Sequence, residues 1–149
     1  MQAATFLDLR LRLEHEHVEQ LRQFRAHQEY LIMRDGRRAL EVLITLESQL
    51  LNHMELEERY LLPLCEQSID RPGHWGPQVY AQEHKRIKEM LATVRMRIAA
   101  HCLSVDSVLM PGDVIDLLDE EKVLKHLISH HQTREATALY PRIFDRVVA

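Results

Sequence analysis

Apolar residues recur three and four positions apart over four long stretches of this chain, the spacing that lines one face of an α-helix. The first stretch runs from about Thr5 to Met33 and stops at Asp35-Gly36. The second runs from about Arg37 to Gln67 and stops in the breaker-rich Asp70-Arg71-Pro72-Gly73. The third runs from about Pro77 to Cys102, followed by a connection from Ser104 to Pro111-Gly112, and the fourth from about Asp113 to Val147. Helices this long, joined by short connections, predict an all-α fold: an antiparallel up-down-up-down four-helix bundle, with residues 1–149 as a single domain.

The register of each stretch shows what the bundle would enclose. In the second, Ala39, Leu43, Leu46, Leu50, His53, Glu57, Tyr60 and Leu64 follow spacings of four and three, an inward-facing seam. In the fourth, Leu117, Glu121, Leu124, Ile128, His131, Glu135 and Ala138 repeat the pattern; in the third, Tyr80, His84, Ile87, Leu91, Val94 and Ile98 do so. Each seam therefore carries histidine or glutamate where a core is ordinarily apolar. An uncompensated charge in such a place is costly, so each of these groups needs a partner.

Composition narrows the possibilities. A length of 149 residues with 46% hydrophobic and 28% charged residues suits one globular domain. Only 4 Gly and 5 Pro leave room for few turns, which excludes a many-stranded sandwich or barrel. A net charge of −4 supplies no basic field for nucleic acid. The local basic run of Lys85, Arg86, Lys88, Arg95 and Arg97 reads as a solvated helix face. No apolar run approaches the ~18 residues of a membrane span, and the charged N-terminus has no h-region, so neither a membrane partner nor a signal peptide is expected. Two cysteines, Cys65 and Cys102, are too few for a disulfide framework and fit a reducing, cytoplasmic location. The odd feature is ten histidines.

Those histidines form an internal echo. His53-x-x-x-Glu57 is followed by Pro63, and His131-x-x-x-Glu135 by Pro141, each at an offset of 78 residues. Glu14-His15-x-x-Val18 and Glu83-His84-x-x-Ile87 echo each other at an offset of 69. Residues i and i+4 share a helix face, so each His/Glu pair can present both side chains to one space. Four imidazoles and two carboxylates make a mixed nitrogen and oxygen shell, suited to iron, manganese or zinc and poor for thiophilic ions. On this reading Glu57 and Glu135 bridge two ions, and His15, His53, His84 and His131 are terminal ligands.

A lone buried His–Glu pair is more simply a satisfied hydrogen bond; it is the whole constellation on facing seams that points to metal. Two alternatives stay open. His17 lies nearer the centre of the apolar stripe than His15, although the echo selects His15. His130 could serve Glu135 in place of His131, although the 78-residue echo selects His131. His126 and His130 form a flank pair, Glu58 reads as solvated or supporting, and His27, His74 and His101 read as helix-end or loop groups. Glu121, two turns from the site, is expected to reach solvent at the bundle end.

The order EHxxV, HxxxEE…LP, EHxxI, HHxxxE…LYP resembles the hemerythrin-like (HHE cation-binding) domain from about Phe6 to Phe144. The resemblance implies a four-helix bundle holding a non-haem centre of two iron ions, oxo- or hydroxo-bridged. It also implies a small ligand such as O2, NO or peroxide, bound reversibly or sensed. His15, His53, Glu57, His84, His131 and Glu135 match the family's ligand positions. Two departures stand out: Tyr80 where oxygen carriers have a further histidine one turn before the third-helix ligand, and Ala136 where many relatives carry an acid. The first leaves room for redox chemistry, so a di-iron oxidase or peroxidase, and an iron storage or donor protein, stand beside small-ligand binding. Zinc or manganese would suit the same ligands. GxGxxG, GxxxxGK[ST], HExxH, GxSxG and CxxC are all absent.

Overall fold

The four periodic stretches become four helices of 24 to 30 residues. The computed structural model describes residues 3–66, 76–102 and 108–148. Helix α1 spans Ala3–Ile32, α2 Gly36–Tyr60, α3 Leu62–Glu66, α4 Pro77–Cys102, α5 Pro111–Arg134 and α6 Tyr140–Val148. A π-helical turn, Glu135–Leu139, joins α5 to α6. Among the described residues there is no strand, only an isolated bridge between Asp35 and Val108. No helix among them is long and apolar enough to cross a membrane. The expected breaker Asp70-Arg71-Pro72-Gly73, His74 and the start of the connection at Ser104 lie outside the described residues.

Local chemistry sets the helix ends. The Arg34 and Asp35 amides donate to the carbonyls of Leu31 and Tyr30, both at 2.9 Å, closing the last turn of α1 with Arg34 at φ 60°. Asp35 then caps α2, its carboxylate accepting the Arg38 amide at 3.1 Å. Pro111 opens α5 two residues ahead of the expected Asp113, as suits a residue with no N–H to leave unpaired.

Helix α1 packs on α2, α2 on α4, α4 on α5, and α5 back on α1, closing a ring around a shared interior. That interior has two apolar clusters. One gathers Phe24, Leu31, Leu43, Leu46, Leu50, Ile87, Leu91, Leu124 and Ile128 among others. The other gathers Phe6, Leu9, Leu13, Leu61, Cys65, Tyr80, Leu139, Tyr140, Ile143 and Phe144. Each long helix, α2 and α5 together with the residues that follow them, passes from one cluster to the other, and its histidine lies near the boundary: His17 on α1, His53 on α2, His84 on α4, His131 on α5. The order of the clusters reverses from each helix to the next. A polar layer is thus clamped between two dry ones, each fully buried Leu or Ile contributing about 1.5–3 kcal/mol.

The seams hold up to the glutamates and then slip. Ala39 through Glu57 are buried as expected, but Tyr60 and Leu64 are half-exposed and Leu61 and Cys65 are buried instead. Likewise Leu117 through Glu135 are buried, but Ala138 is half-exposed and Leu139 takes its place. Both slips precede a proline. Pro63 has no N–H for the carbonyl of Arg59, and α2 breaks at Leu61. Pro141 has none for Thr137, and the chain widens into the π turn, with the Tyr140 amide donating to the Glu135 carbonyl.

Two expectations are corrected here. His27 is neither exposed nor at a helix end, and Glu121 does not reach solvent: both side chains are fully buried and paired. His27 donates Nδ1–H to the Ala39 carbonyl at 2.7 Å and meets Glu121 Oε2 through Nε2 at 2.8 Å. The pair joins three helices, α1, α2 and α5, inside the larger apolar cluster. Truncating one member strands the other in a dry site, so Glu121→Ala is expected to cost about 3–5 kcal/mol in urea unfolding. Replacing the exposed Glu55 by Ala should cost under about 0.5 kcal/mol.

Candidate metal centre

The polar layer is built in symmetrical steps. His53 and Glu57 lie one turn apart on α2, and His131 and Glu135 one turn apart along α5 and its π extension, so each pair faces inward. Single histidines on α1 and α4 close the ring. The six groups are nearly or wholly buried: His17 8% exposed, His53 2%, His131 4%, and Glu57, His84 and Glu135 0%.

The structure brings together five of the six residues singled out in the sequence: His53, Glu57, His84, His131 and Glu135. The sixth, His15, stays outside, on the exposed face of α1, and His17 stands in the ring instead. The cause is helical geometry. His17 continues the stripe Phe6, Leu9, Leu13, Gln20 and Phe24, all buried, whereas two residues' offset carries His15 more than half way round the helix. The run Glu14-His15-Glu16-His17 contains the Glu-His pair twice, and Val18, which favoured the earlier one, is exposed. Position on the stripe was the signal that separates them. His130 is exposed and accepts a hydrogen bond from Arg134 at 2.9 Å, so His131 alone of the two turns inward. His126 stacks on His130 on the flank, with ring centroids 6.1 Å apart. Tyr80 is buried in the apolar cluster and belongs to neither candidate ion-holding group.

Three of the four rings are fixed from behind. His53 donates Nδ1–H to Glu16 Oε1 at 3.0 Å, His84 to Glu58 Oε1 at 2.9 Å, and His131 to Glu83 Oε1 at 2.9 Å. These carboxylates lie at the bundle surface and leave each Nε2 aimed at the centre, the arrangement that orients metal-binding imidazoles. There Glu135 divides its oxygens. Oε1 lies 2.9 Å from His17 Nε2 and 3.9 Å from His53 Nε2, while Oε2 lies 3.1 Å from His131 Nε2 and 3.6 Å from His84 Nε2. Glu57 Oε1 lies 3.4 Å from His53 Nε2 and 3.2 Å from His84 Nε2.

Apart from the hydrogen bond between His17 Nε2 and Glu135 Oε1, these short distances are not aligned hydrogen bonds. Glu57 Oε1, His84 Nε2, His131 Nε2 and Glu135 Oε2 are buried without an aligned partner among the described residues. Leaving four such atoms orphaned in one small space is costly in a protein interior. Two overlapping groups, His17/His53/Glu57/Glu135 and Glu57/His84/His131/Glu135, each offer four ligand atoms within 4.8 Å of one another. Their nitrogen and oxygen donors fit a divalent ion in each, with the glutamates common to both. The donor set and the orphaned atoms together fit a metal.

Tyr140 is a member of the site that sequence reasoning missed. Its hydroxyl donates to Glu57 Oε2 at 2.7 Å and lies 3.1 Å from His17 Nε2 and 3.4 Å from His53 Nε2. The π turn carries it there: without the additional residue its side chain would face another way. Phenylalanine at 140 would leave Glu57 Oε2 buried without a donor. Tyr140→Phe is expected to lower the unfolding free energy of the metal-free protein by about 1–3 kcal/mol in urea titration.

Without an ion, the layer is an ionic network. Burial opposes charge on His53, but Glu57 and Glu135 outweigh it, lifting it to about 12. Against the same burial, Glu135 and Glu57 lift His84 to about 10, and Glu135 with Glu83 lifts His131 to about 9. Burial likewise works against the charge of Glu135, yet His131 beside it holds its carboxyl well below the usual range. Burial and the two glutamates push the Tyr140 hydroxyl up. Since unfolded imidazole titrates near about 6.5, the folded state binds more protons above that pH, and stability falls as pH rises through the folded values. The metal-free protein is therefore expected to unfold at progressively lower urea as pH climbs from about 7 to 10. A flat profile would contradict the network.

Comparison with family models, with curated proteins and with solved structures finds no match for this chain.

Proposed function

We propose that this protein is a hemerythrin-type, antiparallel four-helix bundle whose central layer holds two iron ions and binds or senses a small ligand such as O2, NO or peroxide. One observation carries the reading. Four imidazoles and two carboxylates converge from four helices on one buried space, with four polar atoms left without partners and three rings already turned by carboxylates behind them. A ferrous pair in that space would supply two electrons and an open position for a diatomic ligand. The residues of this chain do the rest. Glu16, Glu58 and Glu83 hold Nε2 of three histidines inward, Glu57 and Glu135 span the two ion positions, and the apolar clusters on both sides keep out bulk water.

Replacement of His15 by His17 leaves the number of imidazoles at four, so the expected nitrogen and oxygen donor set is unchanged. A second reading, a di-iron oxidase or peroxidase, draws on Tyr140, whose phenol lies within 3.4 Å of two imidazoles and can hydrogen-bond to a reacting ligand. Storage or donation of iron is the third; ready loss of iron to a mild chelator would favour it.

Protein produced in iron-rich medium is expected to carry close to two irons per chain and to show charge-transfer absorption that changes between argon and oxygen. Glu57→Ala and Glu135→Ala should lose metal and absorption, and His17→Ala should lose the paired-ion absorption while keeping one ion, whereas His15→Ala and His126→Ala should keep both ions and the absorption. A reversible colour change supports ligand binding, and sustained peroxide consumption supports the enzyme. Chains that bind no metal from any of iron, manganese or zinc would overturn the proposal.

A further inference from the structure

The two halves of the polar layer are related residue by residue, and they differ at two places. On the rings, His53 corresponds to His131 and His17 to His84. Behind them Glu16 holds His53 as Glu83 holds His131. Glu58, next to Glu57, holds His84. The residue in the matching place next to Glu135 is Ala136, exposed and without a carboxylate, so position 136 offers His17 no counterpart of the Glu58 bond to His84. The second difference is Tyr140, whose counterpart one half-chain earlier is Leu62. Its hydroxyl lies against His17, His53 and Glu57, and it engages Glu57 Oε2, an oxygen that would otherwise be free to face the His17/His53 position.

We infer that the two ion positions are unequal: Glu57/His84/His131/Glu135 is the tight, first-filled position, and His17/His53/Glu57/Glu135 is the exchangeable one. This rests on the metal-binding reading above and extends it to which ion stays and which can leave. In the tight position both rings are locked with Nε2 inward before any ion arrives. In the other, no carboxylate comparable to Glu58 stands beside position 135, and an entering ion must displace the contacts of His17 Nε2 with Glu135 and Tyr140 and compete with the Tyr140 hydroxyl for Glu57. Removing a group that orients a metal-binding histidine costs about 10- to 100-fold in affinity, which sets the expected gap.

Sequential filling alone proves nothing, because two dications repel each other in any paired site. The decisive comparison is between variants, using zinc as a redox-inert probe, with calorimetric titration and native mass spectrometry of the full chain. The native chain should take up two zinc ions, the second about 10- to 100-fold more weakly. Ala136→Glu, at an exposed position that leaves the interior unaltered, should tighten the second ion and narrow the gap. Glu58→Ala should loosen the first ion by about 10- to 100-fold, and Glu58→Gln, which keeps the side-chain size, serves if the truncation unfolds the chain. His17→Ala should retain one tight ion. Loss of the tight ion in His17→Ala, an unchanged gap in Ala136→Glu, or two ions already equal in the native chain would each overturn the inference while leaving a metal-binding protein. A chain that takes up no zinc, manganese or iron would overturn both.

Discussion

A buried imidazole has two nitrogens, and each must be answered. In this protein the constraint is met by dividing the work: carboxylates at the rim take the Nδ1 hydrogens of His53, His84 and His131, which forces three Nε2 atoms toward a common centre. Everything else in the polar layer follows from that orientation. The two central glutamates are needed to balance the nitrogens, and the four orphaned atoms arise because a layer shaped this way cannot satisfy itself through hydrogen bonds alone. The apolar clusters on either side raise the stakes, since water that might have met those atoms is excluded.

The prolines give the same layer its second feature. Pro63 and Pro141 stand six residues after the glutamates, and each interrupts the helical ladder where a donor is missing. On α2 the interruption is a break at Leu61; after α5 it is the π turn. In both places the buried seam moves on by one residue, from Tyr60 to Leu61 and from Ala138 to Leu139. The consequence for chemistry lies in the second half alone, where the displaced residue following the seam is Tyr140 rather than Leu62. A phenol thereby enters a layer otherwise made of imidazole and carboxylate, on one side only.

The His27–Glu121 pair shows the same rule away from the centre. It contains one imidazole and one carboxylate, and the ring's second nitrogen is answered by the Ala39 carbonyl. With two side chains it has no room for the four-atom donor set of the central layer, and its position inside the larger apolar cluster suits it to fastening α1, α2 and α5. Comparable residues thus do different work according to how many helices converge on them.

How much of this was legible beforehand depended on the kind of information each feature needs. Periodicity of three and four marks the helices and their inward faces, and the i, i+4 pairs with their 78-residue echo single out His53, Glu57, His131 and Glu135, because both signals are carried by neighbours on one helix. His84 follows from its place on the third seam. His17 was visible on the stripe but masked by a duplicated Glu-His pair, since a dipeptide motif ignores which way a helix faces. The pairing of His27 with Glu121, 94 residues apart, and the arrival of Tyr140 through a π turn were decided only in three dimensions. One depends on how helices dock across a gap and the other on an added residue in a turn, and neither leaves a trace in the spacing of apolar positions.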